Sequence, residues 1–330
     1  MSKRNKKTIL VTGGAGFIGS HLCERLIEDG YRVICLDNFN GFLYSPKLKR
    51  DNISHIKDHP DFILVEGDIL DEKFLDKVFR KEKVWKIVHL AALAGIRPSL
   101  KFPNKYFETN VKGTINLLEK AKEKKVRQFI FGSSSSVYGE KAKIPFKEEE
   151  KTLIPISPYG ASKLAGEIFC RTYHHLYGIQ TAILRFFTVY GPRQRPEMAI
   201  HKFVRLIAEK KSIQIFDKGE SSRDYTYIDD IIEGITKAFN CDKEFEIFNF
   251  GDSHPIKLKN LVDTISKEFG TKAKIEKIIS QPGDVPITFA DTKKAKKILN
   301  WVPKTSLDKG IMEFISWYRE KEYLLSKLTK

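Results

Sequence analysis

Short apolar runs alternate with amphipathic segments through the first half of the chain. The apolar runs are rich in valine, isoleucine, leucine and phenylalanine and have the length of strands: TILVT, RVICLD, FILVEGD, KIVHLAA, QFIFGSS and TAILRFF. Segments of helical length separate them, at 16–29, 71–82, 104–124 and 158–177. Continuous apolar strands separated by helices are typical of a parallel sheet that is covered on both faces. The pattern therefore predicts a doubly wound α/β (Rossmann) fold.

This alternation ends near residue 187, where glycine, proline and polar residues mark loops. Further helices are predicted at 200–210, 257–270, 291–298 and 308–324, with short strands between them. The apolar run FEIFNFG at 245–251 resembles another strand of the first sheet. We therefore predict a Rossmann domain at 1–187, to which 225–250 returns, and a smaller interleaved α/β domain formed by 188–224 and 251–330.

Composition limits the classes of function. The formal net charge is +16, but the lysines are spread along the whole chain and no nucleic-acid-binding module is visible, so we expect no nucleic-acid partner. No segment approaches the roughly 20 apolar residues of a membrane-spanning helix, and no cleavable apolar segment follows the basic start. The four cysteines form no CxxC pair and the histidines are scattered, so we expect no metal site. We expect a cytoplasmic protein.

A glycine-rich turn follows the first predicted strand. Gly13, Gly16 and Gly19 stand in GxxGxxG spacing, which allows a tight turn, close approach of a pyrophosphate and close packing of helix on strand. The pyrophosphate then lies at the positive end of the following helix. The next strand ends in Asp37, whose carboxylate can accept hydrogen bonds from an adenosine ribose and would repel a 2′-phosphate. This arrangement predicts NAD as cofactor rather than NADP.

Neighbouring strand ends are expected to complete the cofactor site. Asp68 ends the third strand, in position to contact the adenine, and Ala91 and Ala92 follow the fourth, in position to contact the diphosphate and ribose. The residues predicted to bind NAD are Gly13, Gly16, Phe17, Ile18, Gly19, Asp37, Asn38, Asp68, Ile69, Ala91, Ala92, Tyr159 and Lys163.

Tyr159 and Lys163 form a YxxxK pair on one face of a predicted helix. We expect the ammonium to lie near the phenol and the nicotinamide ribose, to lower the pKa of the tyrosine and to fit it for base catalysis. Taken alone, such a pair also occurs as an ordinary surface contact. The serines 133–136 favour the catalytic interpretation, because they follow the fifth strand at the edge of the sheet where doubly wound folds bind ligands.

Eight motifs are spread over nearly the whole chain: GGAGFIGSHL, HLAA, ETNVKGTINLLE, SSSSVYG, SPYGASKLAGE, LRFFTVYGP, SSRDYTYIDD and PGDVPITFAD. With them the chain resembles the extended short-chain dehydrogenase/reductase superfamily, and within it the nucleotide-sugar epimerase/dehydratase group. The resemblance implies Ser134, Tyr159 and Lys163 as the catalytic group, NAD as cofactor and a UDP-sugar as substrate. It also implies a homodimer packed through the helices around 104–124 and 158–177.

The residues after Ser134 indicate the reaction. In the resembling 4,6-dehydratases these two positions are Asp and Glu, which supply the acid and the base needed to eliminate water. Here they are Ser135 and Ser136, which can do neither. The related UDP-glucuronate decarboxylases keep a glutamate at the second position, and its absence counts against decarboxylation. A 4-keto sugar can then only turn over and take its hydride back on the other face, so we predict C4 epimerisation with a recycled NAD.

The segment TVYGPRQRPEMAIHKF resembles the corresponding part of UDP-glucuronate 4-epimerases, which implies a uronate sugar. We expect Arg195 to hold its carboxylate together with three hydroxyl groups. These hydroxyls belong to Ser135, Ser136 and Thr188. A firm grip would also restrain the loss of carbon dioxide to which a 4-keto uronate is prone. The alternative interpretation of Arg195 is a phosphate-binding or surface arginine.

The nucleotide is expected to contact two charged residues. Arg223 matches the diphosphate-binding arginine of the resembling family, and Asp284 matches the acidic residue near the uridine ribose. Asn110 is expected to brace the helix beneath the serine–tyrosine site. The prediction is therefore a UDP-glucuronate 4-epimerase. The alternatives are a UDP-glucose or UDP-N-acetylglucosamine 4-epimerase, a UDP-glucuronate decarboxylase and a non-catalytic NAD-binding protein.

Overall fold

Strands and helices alternate in the computed structural model, which describes residues 6–216, 219–278 and 286–328. The first half contains β1 Thr8–Thr12, α1 Phe17–Glu28, β2 Arg32–Asp37, α2 Pro46–Asn52, β3 Phe62–Glu66, α3 Glu72–Lys81, β4 Val84–His89, α4 Ile96–Lys101, α5 Pro103–Phe107, α6 Gly113–Glu123, β5 Gln128–Ser134, α7 Pro158–Tyr177 and β6 Gln180–Phe186. The second half contains β7 Thr188–Tyr190, α8 Ala199–Ala208, β8 Ser212–Phe216, β9 Ser222–Tyr227, α9 Ile228–Phe239, β10 Phe245–Phe250, β11 Pro255–Lys257, α10 Leu258–Phe269, β12 Lys274–Ile278, α11 Lys293–Leu299 and α12 Leu307–Leu328.

Strands β1–β6 and β10 form one seven-stranded sheet in the order β10-β6-β5-β4-β1-β2-β3. Every neighbouring pair in this sheet is parallel. The strand order reverses at β1, which lies between β2 and β4, and doubly wound sheets bind their ligands at the carboxyl ends of the strands around such a reversal. The predicted fold class is confirmed.

Both faces of the sheet are covered, which explains why its strands are continuous apolar runs. Successive side chains of a strand point to opposite faces. In β1, the side chains of Ile9 and Val11 are buried in the apolar cluster to which α1 and α9 contribute. Leu10 between them is buried in a second cluster, to which α3, α6 and α7 contribute. The two clusters are the two apolar layers of the Rossmann part.

The second half of the chain builds two small sheets and then returns to the large one. β11, β9 and β7 form a three-stranded sheet, and β12 pairs with β8 in parallel. After β9 the chain enters α9, which packs against α1, and then β10, which pairs with β6 in the large sheet. The smaller α/β part is therefore interleaved with the Rossmann part. No helix within the described ranges is long and apolar enough to cross a membrane.

The segment predicted as a single helix at 104–124 is instead α5, a π-helical turn at Glu108–Lys112, and α6. The side chain of Asn110, in this wider turn, accepts a hydrogen bond from the Leu93 amide at 2.8 Å and donates to the Leu93 carbonyl at 2.9 Å. It also donates to Ser162 Oγ of α7 at 2.9 Å. Such turns are frequent at functional sites. This one ties the loop after β4 to the helix that carries the YxxxK pair.

Candidate active site

A cavity of about 650 Å³ opens at the carboxyl ends of the large sheet, within the range typical of small-molecule sites. Its lining contains every residue predicted to bind NAD, and also Ser134 and Arg195. The glycine turn after β1 lies at the strand reversal, Asp37 at the end of β2 lies on one side of it, and Ser134 at the end of β5 lies on the other. The cavity thus has a glycine end and a serine–tyrosine end.

The glycine end is shaped by backbone. Gly13 has φ +68°, and a Cβ on it would lie 2.8 Å from the Ala91 nitrogen. A Cβ on Gly19 would lie 2.2 Å from the Gly13 carbonyl oxygen. Neither position can accept a side chain without moving backbone. α1 begins just after this turn, and its first turn carries no acidic residue, so its positive end is open to an anion such as a diphosphate.

Asp37 is held rigidly at the end of β2. Its side chain is 4% exposed, and Oδ1 accepts hydrogen bonds from the Phe39 amide at 2.9 Å and from Lys49 Nζ at 3.1 Å. A fixed carboxylate beside the cavity fits the ribose hydroxyls of an adenosine. Lys49, on α2, belongs to no motif that the sequence analysis used, and its charge offsets part of the repulsion that Asp37 exerts on a 2′-phosphate.

The serine–tyrosine end is formed where the first turn of α7 packs on the turn after β5. Ser157 caps the helix by accepting a hydrogen bond from the Gly160 amide at 3.1 Å. A Cβ on Gly160 would lie 2.5 Å from the Ser136 carbonyl oxygen, so helix and turn are in close contact. Tyr159, which lies between the cap and this contact, is thereby held beside the serines.

The three residues predicted as the catalytic group meet at this end. The Ser134 hydroxyl lies beside the phenol of Tyr159 and favours its ionised form. It donates a hydrogen bond to Ser136 Oγ at 3.2 Å and accepts one from the Ser136 amide at 3.1 Å. Lys163 Nζ donates to the Gly132 carbonyl at 2.7 Å, which fixes the ammonium against the carboxyl end of β5. A hydroxyl, a phenol and an ammonium on one wall of a cavity can bind an alcohol oxygen and move its proton.

The expectation that Lys163 lowers the pKa of Tyr159 is wrong for this structure. Burial raises the pKa of Tyr159, and the groups that oppose burial are the hydrogen bond to Ser134 and the positive charge of Arg195. Burial also lowers the pKa of Lys163 to about 8. The sequence predicted Lys163 as the charge that acts on the phenol, whereas that charge is Arg195, and the sequence did not show how deeply the phenol is buried.

Arg195 lies in the loop between β7 and α8, close to three phenols. Its charge acts against the burial that raises the pKa values of Tyr44, Tyr106 and Tyr159. Its Nη1 lies 3.3 Å from Glu197 Oε1, which engages one part of the guanidinium fork. A guanidinium beside the reactive phenol is suited to an anionic group next to the reacting carbon.

Two contacts with α1 hold the loop that carries Arg195. His21 Nε2 donates to the Pro192 carbonyl at 3.0 Å. Arg193, in the left-handed region with φ +67°, forms an ion pair with Glu24. The helix that begins at the glycine turn therefore also supports the loop at the opposite end of the cavity.

Four further residues predicted to bind substrate, Ser135, Ser136, Thr188 and Arg223, lie outside the lining of this cavity. Ser135 and Ser136 form a half-buried 3₁₀ turn directly after Ser134. Thr188 begins β7, between two residues that do line the cavity. Arg223, on β9, donates through Nη1 to the Ser222 carbonyl at 2.9 Å. Asp284 lies outside the described residues.

Several lining residues escaped the sequence analysis because they belong to no motif used there: Tyr44, Lys49 and Lys105. Each comes from a loop or helix that only the tertiary structure brings to the cavity. Among the residues that the structure describes, no group of three or more histidine, cysteine, aspartate or glutamate side chains is arranged to hold a metal ion.

Comparisons with known proteins identify the class of enzyme to which this fold and site belong. The family model described as GDP-mannose 4,6 dehydratase matches residues 10–314. The chain therefore belongs to this family, in the nucleotide-sugar epimerase/dehydratase group of the extended short-chain dehydrogenase/reductase superfamily.

Individual relatives are similar over almost their whole length. The UDP-glucuronate 4-epimerase of Thermodesulfobacterium geofontis is 39% identical over 97% of this chain and 98% of its own. The crystal structure of UDP-glucuronic acid 4-epimerase from Bacillus cereus with UDP-glucuronic acid and NAD has a TM-score of 0.88 and 38% identity, covering 95% of this chain and 99% of that one. UDP-glucose 4-epimerase from Thermotoga maritima with UDP-glucose has a TM-score of 0.88 and 33% identity, covering 96% and 99%.

Proposed function

We propose that this protein is an NAD-dependent UDP-sugar 4-epimerase that interconverts UDP-glucuronate and UDP-galacturonate. The observation that carries the proposal is the convergence of Ser134, Tyr159 and Lys163 on one wall of a cavity whose other end is the glycine turn and Asp37. The similarity to enzymes named UDP-glucuronate 4-epimerase supports the same conclusion.

The cavity fits NAD by the chemistry of its lining. The open turn of Gly13 and Gly19 and the start of α1 suit a diphosphate, and the fixed carboxylate of Asp37 suits the adenosine ribose. Lys163 and Tyr159 would hold the nicotinamide end. When bound, NAD supplies the acceptor for the hydride that leaves C4 of the sugar, and its reduced form supplies the hydride for the return step.

The chain's own residues manage the proton. Tyr159 removes the proton of the C4 hydroxyl as the carbonyl forms and returns it after the sugar has turned over. Ser134, which lies beside the phenol, binds the same oxygen and relays the proton. The hydroxyl of Ser134 and the positive charge of Arg195 favour the phenolate against the burial that disfavours it. Because the following residues are Ser135 and Ser136, no acid or base is present there to carry the keto sugar into elimination.

The position of Arg195 supports a uronate. In a hexuronate the carboxylate is attached to C5, next to the carbon that reacts, so a cation that binds it must lie near Tyr159. Arg195 is close enough to that phenol to oppose the rise in its pKa, and Ser135, Ser136 and Thr188 would add hydroxyl donors from neighbouring turns. We assign Arg223 and Asp284 to the nucleotide on the strength of the family motifs alone.

The test is a product assay with UDP-glucuronate and UDP-glucose as separate substrates. UDP-galacturonate formed without carbon dioxide or free NADH would support the proposal. Formation of UDP-galactose alone would favour the alternative function, a UDP-glucose 4-epimerase. The similarity to the Thermotoga maritima enzyme supports that alternative. UDP-N-acetylglucosamine is the third substrate to include. Carbon dioxide with a pentose product would indicate a decarboxylase, and bound NAD without turnover a non-catalytic protein.

Architecture and location complete the proposal. We propose that 1–187, with the returning segment 225–250, binds NAD, and that 188–224 and 251–330 bind the nucleotide sugar. The first residues of this returning segment belong to β9, which ends at Tyr227 and lies in the three-stranded sheet. The part that rejoins the Rossmann domain is therefore α9 and β10. All four cysteines are free thiols, which suits the reducing cytoplasm.

We further propose a homodimer through α5, α6 and α7. Ile168 and Leu176 lie eight residues apart on α7, hence on nearly the same face, and are 58% and 60% exposed. Phe107 at the end of α5 is 61% exposed. Light scattering after gel filtration should give twice the chain mass, and Ile168→Glu should give the monomer. Met312→Glu, at a similarly exposed apolar position on α12, is the matched control and should leave the mass unchanged.

A further inference from the structure

A buried ion pair lies directly behind the catalytic group. Glu167 is on α7, one turn beyond Lys163, and Arg185 is on β6. Arg185 Nε donates to Glu167 Oε1 at 2.9 Å and Nη2 donates to Oε2 at 2.7 Å, so the pair is bidentate. Their side chains are 5% and 2% exposed. A buried ion pair is a poor means of stabilising a fold, because desolvation offsets most of the attraction, so its presence beside a reactive site calls for another explanation.

Glu167 binds the strand that presents the catalytic serine. Its Oε1 accepts a hydrogen bond from Ser133, the residue before Ser134. One turn earlier on the same helix, Lys163 donates to the carbonyl of Gly132. Two successive turns of α7 thus hold two successive residues of β5. A Cβ on Gly166 would lie 2.4 Å from the Phe131 ring, so the helix lies directly on the strand here.

Arg185 in turn is fixed by the sheet. It is the register partner of Ser133 on β5 and of Asn249 on β10. Its guanidinium lies 4.8 Å from the centre of the Tyr138 ring. The Tyr138 hydroxyl donates to Asn249 Oδ1 at 2.7 Å. A row of polar side chains therefore crosses three strands beneath the serine turn and fixes the position of the carboxylate.

Glu167 also sets the electrostatic environment of Lys163. The titratable groups that face this ammonium, within the described ranges, are Glu167 and Cys170 on its own helix and His89 on β4. Burial raises the pKa of Cys170 and lowers that of His89 to about 3, so both are uncharged near neutral pH. Cys170 and Glu167 both oppose the lowering of the Lys163 pKa, and of the two it is Glu167 that carries its charge in an ion pair. Arg185, from β6, reaches Glu167 and balances its charge.

We propose that Glu167, oriented by Arg185, is a positioning residue of the active site: it fixes Ser133, and so Ser134, and places a negative charge beside Lys163. The assignment of Ser134 and Lys163 to catalysis rests on the proposed function. The pair itself acts through these residues and not on substrate. Glu167 is the last residue of the SPYGASKLAGE motif.

The test follows the Lys163 side chain by NMR in protein labelled with carbon-13 at the lysine ε position, without substrate. The Lys163 signal is identified by its loss in Lys163→Arg. This signal should titrate near pH 8, well below ordinary lysines, which titrate at about pH 10.4. Glu167→Gln leaves the Arg185 charge unbalanced, so its Lys163 titration should move down by about one pH unit or more. Glu167→Gln/Arg185→Met removes both charges and should move it less.

Controls separate charge from packing. Glu246→Gln breaks an ion pair with Lys294 away from the site and should leave the Lys163 titration unchanged. If Glu167→Gln does not fold, Ser133→Ala carries the test: it keeps the ion pair, so the titration should stay and kcat should fall about tenfold through misplacement of Ser134. An unmoved titration in folded Glu167→Gln, equal shifts in the single and double variants, or an unchanged kcat in Ser133→Ala would overturn the proposal.

Activity provides the second readout and separates this inference from the proposed function. In Glu167→Gln the basic limb of the kcat profile with UDP-glucuronate should move to lower pH by the same amount as the Lys163 titration. If the unaltered protein turns over no UDP-sugar while the NMR shifts occur, the proposed function fails and the positioning role of Glu167 stands. If the enzyme is an active epimerase and the titration does not move, the positioning role alone fails.

Discussion

The two ends of the cavity are built from different parts of the chain's chemistry. The glycine end is shaped by backbone, at positions such as Gly13 and Gly19 where no Cβ fits. The serine–tyrosine end is shaped by side chains, above all Ser134, Tyr159 and Arg195, whose hydroxyl groups and charge define it. A site made of backbone loses its shape when one atom is added. A site made of side chains can lose one chemical role and keep its shape.

Replacing the reactive phenol should show this difference most strongly. Tyr159→Phe removes one oxygen atom from a packed ring, so the fold and the bound NAD should be retained. Epimerisation of UDP-glucuronate should fall about a thousandfold, the usual contribution of a general base. The measurements are kcat and the NAD content of purified protein. A variant that lost NAD together with activity would mean that the two ends are not separable.

The backbone end should respond to the smallest possible addition. Gly19→Ala places a methyl group 2.2 Å from the Gly13 carbonyl oxygen, so the turn must open. Overpacking of this kind costs about 3 kcal/mol at its upper end, or about a hundredfold in affinity for NAD. Calorimetric titration with NAD measures it. Gly41→Ala is the control, because its methyl group meets only the Pro46 ring at 3.3 Å. Equal affinities in both variants would refute a backbone-shaped site.

The same contrast explains which parts the sequence could predict. The glycine turn and Asp37 follow consecutive strands, so their contacts are local and the motif states them directly. The proximity of Ser134 and Tyr159 could also be predicted, because a strand end and the start of the next long helix meet at one edge of a parallel sheet. The fold itself follows from apolar runs that are buried on both faces.

What the sequence did not reveal depends on contacts between distant residues. In the π-helical turn, the Asn110 side chain forms hydrogen bonds to the Leu93 backbone and to Ser162. The spacing of apolar residues along the sequence gives no sign of these contacts. The pKa of Tyr159 rises because of burial, and burial is a property of the folded molecule. Lys49 reaches Asp37 only because α2 folds back over the cavity.

Removing Arg195 should show how much the carboxylate of the sugar contributes to turnover. Arg195→Ala should lower kcat/KM for UDP-glucuronate about thirtyfold, because a hydrogen bond to a charged group contributes about 2 kcal/mol. Turnover of UDP-glucose, where measurable, should fall less, since that sugar has no carboxylate and loses only the effect of the Arg195 charge on the Tyr159 phenol. Arg25→Ala, at an exposed arginine paired with Asp29 outside the cavity lining, is the matched control and should leave the turnover of both sugars unchanged. Unchanged turnover of UDP-glucuronate in Arg195→Ala would show that the uronate assignment is wrong.

The smallest effect is expected where the two ends are joined. His21, on the helix that begins at the glycine turn, donates a hydrogen bond to the Pro192 carbonyl in the loop that carries Arg195. His21→Leu removes this donor and should raise KM for UDP-glucuronate about fivefold, equivalent to about 1 kcal/mol, with kcat little changed. His21→Gln keeps an N–H at a similar distance and should remain near the original KM.

The pH dependence of this variant tests the nature of the link. Burial lowers the pKa of His21 to about 3, so the imidazole is neutral in the folded protein and donates as an uncharged N–H. The difference in KM between His21→Leu and the original protein should therefore be constant from pH 6 to pH 9. A difference that grew only as the pH fell below the ordinary histidine pKa of about 6.5 would mean a charged imidazole holds the loop. The helix after the glycine turn would then act on the Arg195 loop through the charge of a side chain. His21 would have to be counted with the side chains that shape the serine–tyrosine end.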